Sequence, residues 1–136
     1  MISFNYETDF ELPYEHEFSS WISKVIISEN CKERDINYIF CDDEYLHDIN
    51  LKYLNHDTLT DIISFDYSVG KELHGDIYIS IERVKENAED FEVDFKDEIR
   101  RVMVHGVLHY CGYKDKTDDD QKLMRSREDH YISQWS

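Results

Sequence analysis

The residues best suited to chemistry in this 136-residue chain fall in one stretch, HGVLHYCGYKD, from His105 to Asp115. Two helical histidines four positions apart sit about 6 Å apart along the axis and about 40° apart around it, so both imidazoles can reach one ion. A lone histidine in an apolar helix is an ordinary packed residue. Two of them within VMVHGVLHYC bring two polar rings that each need a partner, and a transition metal would serve both. Three positions after His109 stands Gly112, which can take the left-handed backbone that stops a helix and turns the chain back. Asp115 then comes within reach as a third ligand, although on its own it reads as an exposed turn acid between Lys114 and Lys116. Two histidines and a carboxylate make a zinc set with a fourth position left for water. The same donors also suit nickel, copper or iron.

The spacing H-x3-H-x2-G-x2-D resembles the zinc motif of metzincin peptidases with one difference. Those enzymes carry glutamate directly after the first histidine as general base, and this chain has Gly106 there. Glycine inside a helix costs roughly 1 kcal/mol relative to alanine, so something approaches the backbone at that point, whether sheet, substrate or solvent. No residue presents itself as the general base. Arg101, one turn before His105 on the same face, is either a phosphate contact or a salt-bridge partner of a nearby acid such as Glu98 or Asp97.

The elements that must position these groups follow from periodicity and caps. Ile2 to Tyr6 alternates as a strand, and a helix from about Glu15 places Phe18, Trp21, Ile22, Val25 and Ile26 on one face. Ile36 to Cys41 reads as a strand, and Asp42-Asp43 opens a helix continued by Tyr45, Leu46, Ile49 and Tyr53. Asn55 to Asp61 is polar and turn-rich. Ile62 to Tyr67 and Asp76 to Ser80 are strands close enough in sequence to be antiparallel neighbours. Ser80 caps a helix to about Phe91, and Asp94 caps the next with Asp97 echoing a capping box. That next helix, Phe95 to about Cys111, is apolar enough to be central and buried. Thr117 and the three aspartates after it open a last helix, with Leu123, Met124, Arg127, Tyr131 and Trp135 along one side. The expected fold is α+β: a single small domain over residues 1–136, with a four-stranded mixed sheet packed by helices and the metal site on the central helix.

Composition narrows the function classes. Hydrophobic residues at 40% and aromatics at 14% exclude a disordered chain despite 34% charged residues. The start has no signal-like apolar run and no later stretch has the length of a membrane span, so a soluble, cytoplasmic protein without membrane partners is expected. Cys31, Cys41 and Cys111 show no paired spacing and read as reduced and mostly buried. A net charge of −16 repels phosphate at long range. Between Arg100 and Arg127, however, seven bases face four acids, a local excess of +3 against −19 elsewhere. Such asymmetry marks either a phosphate-facing surface or a helix with salt-bridged faces.

The pattern as a whole resembles the YbeY-type endoribonucleases. The family signature is close to HGxLHxxGYDH, and this chain reads HGVLHYCGYKD. A second block, close to NxxYRxxDxPTDVLSF, is matched by NLKYLNHDTLTDIISF from Asn50 to Phe65, and a glycine-aspartate strand element follows as Gly75-Asp76-Ile77. The resemblance places His105 and His109 on the first two zinc histidines and Asp115 on the third, which changes from His to Asp. It keeps Asp57, Thr60, Asp61 and Ser64 in step, with Asp57, Thr60 and Ser64 as candidate substrate-cleft residues. It loses the arginine of the family's YR pair, which is Leu54 here, and a proline, which is Leu59. What it implies is a zinc-dependent, single-strand-specific endoribonuclease, with RNA and the ribosome rather than DNA as partners. Its expected setting is ribosomal RNA maturation at the 16S 3′ end and ribosome quality control. Two other readings stay open: a metallopeptidase, favoured by the zinc spacing and opposed by Gly106, and a non-catalytic ribosome-associated factor with a structural metal.

Overall fold

The computed structural model describes residues 1–55 and 59–135. Four strands form one sheet in the order β1-β2-β4-β3, where β1 is Ile2–Tyr6, β2 Lys32–Cys41, β3 Ile62–Asp66 and β4 Glu72–Ser80. β1, β2 and β4 run parallel, and β3 lies antiparallel to β4 with Ser64 opposite Ile77. Parallel neighbours need crossovers, which α1 (Glu15–Ser28) and α2 (Asp43–Leu54) supply. α3 (Ile81–Asp90), α4 (Phe95–Tyr110) and α5 (Asp118–Ser133) follow in order. No helix among the described residues is long and apolar enough to cross a membrane.

One face of the sheet carries the main core, in which Ile36, Tyr38, Phe40, Ile77 and Ile79 meet Ile22 and Ile26 of α1, Val84 of α3, Val107 and Leu108 of α4, and Tyr131 of α5. The other face is covered by α2 through Leu46, packed with Cys41 and Ile63. Two buried aromatic donors are paired across these layers: Tyr38 donates to the Met103 carbonyl at 2.8 Å and Trp21 Nε1 to the Tyr131 carbonyl at 2.8 Å. All three cysteines are free; Cys41 is buried and Cys31 and Cys111 are half-buried.

The mixed sheet, the antiparallel β3–β4 pair and the central α4 agree with expectation. Several boundaries do not. β2 and β4 each begin four residues earlier than their apolar alternation, because Lys32–Glu33 pair with Glu72–Leu73 beyond a register shift between Glu33 and Ile36. β3 ends one residue early, at Asp66. Asp94 stands at the start of α4 without a side-chain cap, since its backbone carbonyl rather than its carboxylate takes the Asp97 and Glu98 amides. On α5, Leu123 is 53% exposed, and the buried stripe is Met124, Glu128 and Tyr131.

Candidate metal centre

α4 sets the position of both histidines. Gly106 lies against the sheet: a Cβ there would meet the Cδ1 atoms of Ile62 and Ile77 at 3.1 Å each. The close neighbour implied by a glycine at this point is therefore the sheet. The helix ends in a Schellman motif, with the Tyr113 amide donating to the Leu108 carbonyl at 3.1 Å and the Gly112 amide to the His109 carbonyl at 3.0 Å. Gly112 has φ +107°, and the reversal it allows carries Asp115 back to the histidines. Gln121, in the first turns of α5, donates to the Asp115 carbonyl at 3.1 Å and so ties the returning chain to that helix.

Three ligand atoms converge as a result. His105 Nε2 and His109 Nε2 are 3.0 Å apart, His109 Nε2 lies 3.2 Å from Asp115 Oδ2, and His105 Nε2 lies 3.3 Å from the same oxygen. Zinc bonds of about 2.0–2.1 Å in tetrahedral array put ligand atoms about 3.3–3.4 Å from one another, so the donor set fits such an ion. It is the one group of three metal-ligating side chains drawn together among the described residues. The His105, His109 and Asp115 side chains are 22%, 31% and 42% exposed, which leaves the triangle open on one side.

That open side faces a cleft of about 830 Å³ lined by residues of β3, α3, α4 and α5. Thr60 and Ser64 are on its wall, with the Thr60 hydroxyl donating to the Ile62 carbonyl at 3.3 Å. Asp57 lies outside the described residues. Lys122 and Arg125 stand exposed along the α5 wall. Arg101 also lines the cleft, but its two terminal nitrogens hold Glu128 at 2.9 Å and Asp129 at 2.6 Å rather than Glu98 or Asp97. Leu54 ends α2 and is exposed.

Three acids at the site were not singled out as site residues by sequence reasoning. Glu128, buried on α5, accepts from Nδ1 of His105 at 2.7 Å. Asp61 and the buried Glu98 line the cleft beside it. Burial raises the Asp61 carboxyl against the opposing pull of His105. Burial and the neighbouring Asp61 raise the Glu98 carboxyl. The available signal was an acid on the apolar stripe of each helix, at Glu128 between Met124 and Tyr131 and at Glu98 beside Ile99 and Val102.

Comparison with known proteins gives a consistent result. The family model described as Endoribonuclease YbeY matches residues 2–136. A protein of Flavobacterium psychrophilum named Endoribonuclease YbeY is 70% identical over 132 residues, covering 97% of this chain and 94% of its own. One of the same name from Flavobacterium johnsoniae is 65% identical, covering 98% of this chain and 96% of its own. The solution structure of a Thermotoga maritima protein superposes with a TM-score of 0.70 at 23% identity, covering 98% of this chain and 87% of that one, and shares the fold.

Proposed function

The chain belongs to the YbeY endoribonuclease family, and from that premise we propose that it is a zinc-dependent endoribonuclease cutting single-stranded RNA. Its proposed setting is cytoplasmic, in ribosomal RNA maturation at the 16S 3′ end and in ribosome quality control. The observation that carries the proposal is the triangle of His105, His109 and Asp115 donor atoms opening onto a cleft of about 830 Å³. His105 and His109 would hold the ion through Nε2 and Asp115 through Oδ2. The chemistry such an ion supplies when bound is Lewis acidity toward a phosphate oxygen or a water.

The remaining work falls to the chain itself. Lys122 and Arg125 put two exposed cations on the α5 wall, beside Asp118 and Glu128, for contact with the ribose-phosphate backbone. Thr60 and Ser64, which also line the cleft, offer hydroxyls to sugar or base. Asp115 would bring a negative charge to the donor set where the family signature has a neutral histidine, which would temper the Lewis acidity of a bound ion. A peptidase mechanism lacks its glutamate, since Gly106 is packed on Ile62 and Ile77. A purely structural metal would be closed off by four protein ligands, whereas these side chains face the cleft.

The test is cleavage of an RNA carrying a ribosomal 3′ precursor end by zinc-loaded protein. Wild type should cut it, and His105→Ala/His109→Ala should lose both the ion and the activity. Equal cleavage by the two proteins would remove the basis of the proposal.

A further inference from the structure

We infer that Glu128 is a positioning residue for the metal site, acting through Nδ1 of His105, and that Arg101 serves it by holding its second oxygen. The inference rests on the proposal that His105, His109 and Asp115 bind a metal.

The geometry assigns each atom one task. A carboxylate has no proton to give, so Glu128 Oε2, 2.7 Å from His105 Nδ1, can only accept. The imidazole must then carry its proton on Nδ1, which leaves the lone pair on Nε2. That nitrogen is the one directed at His109 Nε2, 3.0 Å away, and Asp115 Oδ2, 3.3 Å away. The contact thus selects the ligating tautomer, fixes the ring plane and makes the nitrogen a stronger donor. Arg101 Nη1 donates to Glu128 Oε1 at 2.9 Å, and its Nη2 is anchored on Asp129 at 2.6 Å, so neither carboxylate oxygen is left to swing away. The Glu128 side chain is only 5% exposed and that of Arg101 20%. A buried ion pair of this kind contributes little net stability compared with an apolar pair of the same volume. Holding His105 gives it a purpose that packing alone does not.

The experiment measures zinc and cobalt(II) affinity by chelator competition, together with the visible absorption of the cobalt form. Wild type, Glu128→Gln, Arg101→Met and Glu29→Gln are compared. Glu29→Gln is the control, because Glu29 holds α5 through Arg127 at 2.9 Å, on a contact that does not include His105. Wild type should take up one ion per chain. Glu128→Gln should bind it on the order of 10- to 100-fold more weakly with a changed cobalt spectrum. Arg101→Met should move both readouts in the same direction by less, and Glu29→Gln, which loosens α5 without touching His105, should leave the cobalt spectrum unchanged and weaken affinity far less than Glu128→Gln. The inference is overturned if Glu128→Gln keeps wild-type affinity and spectrum, or if Glu29→Gln weakens binding as much. Should Glu128→Gln not fold, Arg101→Met decides by the same criteria. Failure of wild type itself to bind an ion would instead bring down the underlying metal proposal, and this inference with it.

Discussion

Burial pushes the His105 imidazole down, but the Glu128 hydrogen bond and charge, joined by Asp115 and Asp61, outweigh it and hold its pKa above the ordinary 6.5. A raised folded pKa contributes stability that is fully present below the unfolded value and lost as pH rises through the folded one. In metal-free protein, His105 is therefore a stabilising group on the acid side. Metal binding needs the neutral ring, so affinity should fall as pH is lowered through that raised value, and chelator competition at a series of pH values falling from the alkaline side would show it. At Gly112, φ +107° strains any side-chain-bearing residue. Gly112→Ala should cost about 1–2 kcal/mol in thermal unfolding and displace Asp115, weakening metal uptake. These residues were legible in the sequence because ligand spacing and helix stop are local. Glu128 was not, because its partner His105 is 23 positions away and only the docking of one helix on another brings them together.

The same division holds between elements. The caps at Asp42, Ser80 and Thr117 could be read directly, since each side chain accepts an amide three residues ahead. The early starts of β2 and β4 could not, because pairing between the strands, and not their own alternation, extends them. Contact between α4 and the sheet at Gly106 offers a direct probe. Alanine gains about 1 kcal/mol of helix propensity but forces its Cβ to 3.1 Å from two isoleucine tips. Gly106→Ala therefore sets the propensity gain against a few tenths of an ångström of yielding by Ile62 on β3 and Ile77 on β4, and thermal unfolding should show a net change of no more than about 1 kcal/mol. At the far end of α1, burial would raise the Glu29 carboxyl, but hydrogen bonds from Tyr131, Arg127 and Tyr113 prevail and set its pKa below the ordinary 4.5. A depressed carboxylate adds stability above its unfolded pKa and loses it as pH falls through the folded value. Glu29→Gln should be less stable than wild type at neutral pH, and the gap should close in acid titrations carried below the depressed pKa.

Over the whole molecule, the net charge of −16 makes the placement of each base decisive. In the basic segment that the sequence singled out, Arg101 and Arg127 are taken by Glu128, Asp129 and Glu29, acids outside its bounds. Net charge over a window was visible in the sequence; which charges cancel is set by the fold. Lys122 and Arg125 remain along the cleft, so RNA affinity should show a shallow salt dependence, with a log–log slope of roughly −1.4 for two phosphate contacts on a single strand. Lys122→Glu/Arg125→Glu should flatten it further and weaken binding evenly across sequences. α5 contributes one more property at this scale. Its first turns grip the Asp115 carbonyl through Gln121, and further along it carries Glu128 to His105. With an ion bound as proposed, its capture and the seating of this helix would be reciprocal: whatever lifts α5 would loosen the ion, and the ion would fasten α5. Amide exchange along residues 118–133 should slow on metal addition, by up to about 2.7 kcal/mol of opening free energy at a hundredfold excess over Kd, while α2, on the opposite face of the sheet, keeps its rate.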